Sequence, residues 1–296
     1  MGPQIRPSTS RFRVLDCGVQ ELPEHVAENR RYWDAYAPQW VAAGERQWRQ
    51  SEPSWGIWAI PERVLEMLPP SMAGMRAVEL GCGTGYVSAW MARRGADVAA
   101  IDNSLEQLTS ARRLASEHGL AIDFVHGDAE ATPYPDASFD FAISEYGAAI
   151  WCDPERWIAE AWRILRPGGR LVFLGHHPWM QVLAAADGAT MAAVAQRSYF
   201  ELGALDWRQA AFEPGGIEFN LPISGWFDLF ARVGFRVEGY LEPRPEAGPE
   251  EERFGVSRSS ARDTPSEQVW KLRKPASAPE SRASRPTPAS RTARLG

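Results

Sequence analysis

Short apolar runs alternate with helical patterns through most of this chain. Arg76–Leu80 (RAVEL) reads as a strand, and residues 84–94 read as a helix, with Val87, Trp90 and Met91 recurring at i, i+3 and i+4 and Gly95 as the stop. Residues 97–101 (DVAAI) make the next strand. A helix then opens at Ser104, with Gln107 three positions on as a capping box, and closes near Gly119. Residues 122–126 and 139–144 supply strands three and four. Asp153-Pro154 begins a helix, with Asp as N-cap and Pro in the first turn, which carries Trp157, Ile158, Ala161, Trp162 and Leu165 inward. Arg166-Pro167-Gly168-Gly169 ends it, and residues 170–175 (RLVFLG) form strand five.

Beyond a long interruption, Ser224 caps a helix bearing Trp226, Phe227, Leu229, Phe230 and Val233, stopped by Gly234. Residues 235–241 and 268–272 supply the last two strands. Strands alternating with helices predict an α/β fold, a doubly wound, mostly parallel sheet covered on both faces. No helix separates the final two strands in this reading, so they pair antiparallel. The chain divides into a loose lead-in (1–24), an aromatic-rich helical cap (25–70), the α/β domain (71–274) with an insertion after strand five (177–223), and a tail (275–296). The tail is low in complexity and dominated by Pro, Ser, Ala and Arg, so it buries too little apolar surface to offset its ordering entropy.

Composition narrows the function. The formal net charge of -6 argues against a partner gripped mainly through phosphates, so nucleic acid is not expected. Three scattered cysteines, Cys17, Cys82 and Cys152, form neither a disulfide framework nor a paired zinc motif, and a reduced cytoplasmic setting is expected. No apolar run reaches the roughly 18 residues of a membrane span. Of 13 tryptophans, Trp33, Trp40, Trp48, Trp55 and Trp58 crowd the first sixty residues. Trp33, Tyr36 and Trp40 share a helical face that is interrupted near Pro38. Such a stripe serves either as core or as a lid whose aromatic faces attract a cation.

The chemistry concentrates in Glu79-Leu80-Gly81-Cys82-Gly83-Thr84-Gly85, at a strand-to-helix turn. Gly81, Gly83 and Gly85 let bare backbone approach a ligand. A dinucleotide fingerprint needs a glycine at position 86, where Tyr86 stands, so a nicotinamide enzyme is disfavoured. Asp102 ends the second strand, the position at which doubly wound sheets present a carboxylate to ribose hydroxyls. Asp128 follows the third strand, where an acid can accept from an adenine amine.

At these residues the sequence resembles class I S-adenosylmethionine-dependent methyltransferases, of the group that includes small-molecule and ubiquinone/menaquinone enzymes. VELGCGTG, IDNS, GDAE, SFDFAISE and LRPGG match its successive motifs, and the resemblance runs from about residue 60 to 274. It implies a Rossmann-like seven-stranded sheet with the last strand antiparallel, and S-adenosylmethionine as cofactor. It places Glu79 and the loop of Gly81, Cys82, Gly83 and Gly85 at the methionine part, Asp102 at the ribose, and Asn103 beside the adenine. Asp128, Ala129 and Glu130 flank the adenine, and Ser144 and Glu145 line the floor beneath the sulfonium. Two further residues are candidates on the acceptor side. Tyr146 touches substrate or simply packs. His176 takes the acceptor's proton or is a hydrogen-bonded loop histidine. His176 and His177 without a spaced acid make a poor metal site.

The acceptor implied is a small molecule. Tyr199, Phe200, Trp207, Phe212 and Phe219 in the insertion favour an apolar or aromatic one, methylated on O, N or C by a monomer or homodimer. Alternatives at this point are an RNA or protein methyltransferase and a non-methylating S-adenosylmethionine-binding protein.

Overall fold

The computed structural model describes residues 22–188, 190–212 and 214–276. Most of the expected lead-in and tail lies outside them. Seven strands form one sheet: β1 (Arg76–Leu80), β2 (Asp97–Asp102), β3 (Asp123–His126), β4 (Phe139–Glu145), β5 (Leu165–His176), β6 (Arg236–Leu241) and β7 (Glu267–Arg273). Their spatial order is β6-β7-β5-β4-β1-β2-β3. The first five run parallel, and β7 lies antiparallel between β5 and β6. Chain direction therefore reverses at β7, which presents its first residue at the edge where β1 to β5 present their last.

The longer helices among the described residues are α1 (Glu24–Arg49), α2 (Tyr86–Arg93), α3 (Leu105–Glu117), α4 (Pro154–Ile164) and α5 (Ile223–Val233). One face of the sheet packs under α2, α3 and the end of α1, around Trp48, Trp55, Trp90, Met72 and Met91. The other packs under α4 and α5, around Trp157, Phe173, Trp226, Phe230 and Trp270. Asp153 caps α4 by accepting from the Glu155 amide at 3.0 Å, with Pro154 in the first turn. Gly234 closes α5 at φ 109°, a left-handed conformation that a side chain disfavours.

Several local expectations are corrected. Helix α1 continues unbroken through Pro38 for 26 residues, about 39 Å at 1.5 Å per residue. Pro38 is exposed there, and the flanking turns pack on the domain. Helix α2 starts at Tyr86, two residues late, because Gly85 at φ 77° is its left-handed N-cap. The capping box of α3 is only half made. The Ser104 hydroxyl accepts from the Gln107 amide at 3.2 Å, but the amide of Ser104 bonds Asp102 rather than the Gln107 side chain. Helix α5 is preceded by Pro222, so Ser224 lies within the first turn and does not cap the helix, and of its apolar residues Phe227 is 45% exposed. Strand β5 begins at Leu165 and passes a register shift beside the Pro-Gly-Gly turn. A short helix, Arg258–Asp263, interrupts the final connection.

Candidate functional site

The turn after β1 is built from backbone. Gly81, Gly83 and Gly85 have φ of 75°, 51° and 77°, all left-handed. A Cβ on Gly81 would lie 2.7 Å from both the Ala148 nitrogen and the Gly147 Cα, so only glycine lets the β1 and β4 ends approach this closely. The Gly81 and Cys82 amides donate to the Ile101 carbonyl at 2.9 and 3.1 Å, fixing the turn against β2. Glu79 is buried beneath it and accepts from the amide (2.8 Å) and hydroxyl of Ser88, one turn into α2. Burial pushes its carboxyl well above the ordinary glutamate range.

Asp102 ends β2 facing this turn. Its Oδ2 accepts from the Gly83 amide at 2.7 Å and its Oδ1 from the Ser104 amide at 2.8 Å. A carboxylate offers about four acceptor positions, so one lone pair on each oxygen remains for a vicinal diol. Burial lifts the Asp102 carboxyl to about 6 against the pull of these amides. The glycine turn and this acid fit an adenosyl group bearing no phosphate.

Helix α1 roofs these strand ends through a polar stripe at helical spacing. Asn103 donates to the Val26 carbonyl at 2.8 Å and accepts from Arg30 at 2.9 Å, while the Ser104 hydroxyl donates to Asp34 at 2.6 Å. Asn103 is thus engaged with the roof. Further along, Trp48 donates to the Thr84 carbonyl at 2.8 Å. The aromatic stripe of α1 is half-buried. Tyr32 and Trp33 meet Trp151 and each other, Tyr36 meets Tyr32, and Trp40 stacks on Phe254 from the β6–β7 connection, with centroids 6.0 Å apart.

The corner after β3 holds Asp128, Ala129 and Glu130. Asp128 accepts from the Glu130 amide at 2.8 Å, and burial raises its carboxyl. Ala129 is buried. The Glu130 carboxylate bonds His25 of α1 at 2.6 Å, the Asp153 amide at 2.7 Å and Arg156 at 2.8 Å. Asp128, Glu130 and Cys152 bring one side-chain atom each within 4.8 Å of one another, a grouping whose glutamate already hydrogen-bonds through Oε1 and pairs with Arg156 through Oε2.

On the other side, the ends of β4, β5 and β7 converge. The buried Ser144 donates to the Leu80 carbonyl at 2.8 Å. Glu145 accepts from Tyr86 and, at 2.9 Å, from the Gly56 amide; burial raises its carboxyl. Tyr146, with φ 53°, donates to Glu267 at 2.6 Å, and its ring lies edge-on to His176 at 5.1 Å. His176 Nδ1 is 3.8 Å from Glu218 in the insertion. Burial pushes Glu218 up, but the bond and charge of His176, with donation from Trp207 and Gln181, outweigh it and leave the carboxyl below its ordinary range. His177 points elsewhere and caps the helix Pro178–Leu183 by accepting from the Trp179 amide at 3.2 Å. Of the insertion's aromatic residues, Phe200 and Phe212 are exposed and Phe219 packs on His25.

The structure therefore gathers Glu79, the glycine turn, Asp102, Asn103, Asp128, Glu130, Ser144, Glu145, Tyr146 and His176 along one edge of the sheet. Sequence reading missed Glu267 and the hairpin of Ser54–Trp55 with Ile60–Pro61, whose tip Gly56-Ile57 rests on Glu145 and Glu267. A lone glutamate at the head of the last strand carries no motif. Sequence reading also missed Val26, Arg30 and Asp34, whose spacing of four could have marked one face of α1. An open cavity of about 420 Å³ lies at the opposite edge, between Gly74, Asp140 and Arg166, away from all of these groups.

Comparison with known proteins agrees with this geometry. Residues 78–173 match a family model described as a methyltransferase domain. The chain is 38% identical over 108 residues to a demethylmenaquinone methyltransferase of Thermus thermophilus, covering 36% of this chain and 49% of that protein. It is 37% identical over 113 residues to a malonyl-[acyl-carrier protein] O-methyltransferase of Pectobacterium atrosepticum, covering 38% and 42%. The chain thus spans about half the length, or less, of these curated relatives. A crystal structure of an S-adenosylmethionine-dependent methyltransferase from Mesorhizobium loti superposes with a TM-score of 0.56 and 25% identity, over 71% of this chain and 95% of that one. Residues 78–173 thus match a methyltransferase domain, and the sheet is the Rossmann-like one of the solved S-adenosylmethionine-dependent methyltransferase it superposes on.

Proposed function

We propose that the protein transfers the methyl of S-adenosylmethionine to a small, apolar or aromatic acceptor in the cytoplasm. The observation that carries this reading is Asp102, fixed by two backbone amides with a lone pair to spare on each oxygen, opposite a turn of three left-handed glycines. Asp102 receives the ribose diol and the Gly81–Gly85 backbone lies along the methionine part. Asp128 and Ala129 flank the adenine, with Asn103 and Glu130 holding α1 over it. Bound there, the cofactor supplies a methyl already activated by its sulfonium.

The chain's own contribution is orientation and exclusion of water. Ser144 and Glu145 form the floor, and the Trp55-Gly56-Ile57-Trp58 tip, the aromatic stripe of α1 and the insertion close the remaining sides. Holding two reactants in near-attack geometry is worth on the order of 7–11 kcal/mol. Tyr146 and His176 face the acceptor. Among the described residues no helix is long and apolar enough to cross a membrane.

The test is incubation of the purified protein with methyl-labelled cofactor and a panel of phenols, hydroquinones, amines and carboxylic acids. Label in an extracted small molecule, with equimolar S-adenosylhomocysteine, is the expected result. Label found only in added RNA or protein would transfer the reading to a macromolecular acceptor.

A further inference from the structure

We infer that Glu267 meets the methyl acceptor and takes the proton from the oxygen that is methylated. This rests on the methyl-transfer reading above. It begins with topology. Glu267 opens β7 opposite His176 of β5, so the antiparallel strand delivers its first side chain to the rim that Tyr146 and His176 occupy.

The second observation is an unequal carboxyl. Glu267 is fully buried. Its Oε1 accepts from the Ile57 amide at 2.9 Å and from the Tyr146 hydroxyl at 2.6 Å, while Oε2 has no partner among the described residues. Glu62, in the same hairpin region, gives the contrast. Its Oε2 holds the Trp55 indole (2.6 Å) and the Met67 amide (3.1 Å), and its Oε1 holds the Leu68 amide (3.0 Å) and Arg94 (3.2 Å). A glutamate that only anchors the hairpin spends both oxygens, as Glu62 does. Leaving a buried carboxylate oxygen without a donor costs more than leaving a neutral group so, and a donor from a ligand would remove that cost.

The third observation is the residue covering the carboxyl. Gly56 sits at φ 70°, and a Cβ there would come within 2.0 Å of Oε1 and 2.8 Å of Oε2. The hairpin tip thus crosses Glu267 as bare backbone.

These features select an acceptor with a neutral phenolic or enolic hydroxyl. Its O–H donates to Oε2, whereas a carboxylate acceptor would bring a third anion against Glu145 and Glu267. Among the described residues, the titratable groups around Glu267 are Glu145 at the end of β4 and Tyr146 just after it, His176 from β5, and Arg253, which bonds the Ile57 carbonyl on the hairpin's other side. In the step, the oxygen–methyl bond forms and the methyl–sulfur bond breaks with its electron pair left on sulfur. The hydroxyl proton moves to Oε2 and leaves to solvent after product release. Burial raises the Glu267 carboxyl to about 7, near the optimum for such an exchange at neutral pH.

The test compares wild type, Glu267→Gln and Glu267→Ala in the full chain, with 1,4-dihydroxynaphthalene (kept reduced) and substituted phenols as acceptors. S-adenosylhomocysteine release is followed from pH 5 to 9 with S-adenosylmethionine saturating at every pH, so that the ionisation of Asp102 does not enter kcat. Glutamine keeps one oxygen for both Ile57 and Tyr146, so the hairpin stays pinned. The expected result for Glu267→Gln is unchanged melting temperature and unchanged affinity for S-adenosylhomocysteine, with kcat down at least about 100-fold and the acidic limb of the pH profile gone. Three results overturn the inference: undiminished turnover by Glu267→Gln with the same limb, a loss matched by lost product affinity or melting temperature, or a wild type that binds donor yet methylates no hydroxyl probe. A wild type that binds neither donor nor product removes the methyl-transfer reading itself, which separates the two failures.

Discussion

Replacing Asp102 by asparagine should uncouple donor binding from pH. In the wild type the carboxyl ionises at about 6, while both oxygens already hold backbone amides at 2.7 and 2.8 Å. A ribose diol needs the remaining lone pairs, so binding favours the ionised form. At pH 7 about nine-tenths of Asp102 is ionised, and at pH 5 about one-tenth, which predicts roughly tenfold weaker affinity for S-adenosylhomocysteine at pH 5, about 1.4 kcal/mol. The amine and carboxyl of that ligand titrate outside this window. Asparagine also turns an NH2 toward either the Gly83 or the Ser104 amide and withdraws one charged acceptor. At about 1.5–3 kcal/mol for a hydrogen bond to a charged group, Asp102→Asn should bind about 10- to 100-fold more weakly at pH 7. Its affinity should then hardly change between pH 5 and 7. Isothermal titration at three pH values measures both effects. A flat wild-type profile, or the same slope in Asp102→Asn, would refute the reasoning and shift the pH dependence to another buried acid such as Glu79.

Other consequences follow from the same contacts. Gly81→Ala should cost about 1–2 kcal/mol for its left-handed φ alone, and more from collision with the Gly147 and Ala148 backbone at 2.7 Å. Gly119→Ala, at φ 65° with nothing among the described residues within 4 Å of its Cβ, should show only the conformational part, and urea unfolding separates them. The His25–Glu130 bond raises the His25 pKa, so its hold on α1 is complete below the unfolded value of 6.5 and fades as pH climbs through the higher folded one. Hydrogen exchange over residues 24–49 should therefore quicken from pH 6 to 8 beyond its intrinsic dependence, and this excess should vanish in His25→Ala. Gly44→Ala should loosen α1 despite alanine's helix preference of about 0.8–1 kcal/mol, because the new Cβ would meet the Thr84 side chain at 2.4–2.9 Å. Weaker S-adenosylhomocysteine binding without loss of secondary structure is the expected readout.

What the sequence made legible, and what it did not, follows from the range of the forces involved. Strands β1 to β5 and their helices were readable because each is written locally: an apolar run, a cap, a glycine stop. Asp102 and the glycine turn were readable because they are a few residues from strand ends whose position in a parallel sheet is fixed by topology. The continuity of α1 through Pro38 was not, since it depends on Asn103, Ser104 and Thr84 holding turns on either side of the proline. The start of α5 was misread for a smaller reason. A serine ahead of an apolar stripe looks like a cap, but Pro222 already fixes the extended turn that precedes the helix.

The acceptor side was the least legible. Tyr146 and His176 drew notice through their place after β4 and β5. Their partners, Glu267 and Glu218, lie 121 and 42 residues further on and reach them only through the reversal at β7 and the hairpin of the insertion. Gly56 looked like part of a tryptophan-rich cap, and its contact with two buried carboxyls appears only once the hairpin is folded over the sheet.

Titration calorimetry of the unmodified chain with S-adenosylmethionine and, separately, S-adenosylhomocysteine addresses the central claim most directly. One ligand per chain for each, in competition for a single place and both weakened by Asp102→Asn, is the outcome this account predicts. Heat from neither ligand at concentrations up to the millimolar range would contradict it.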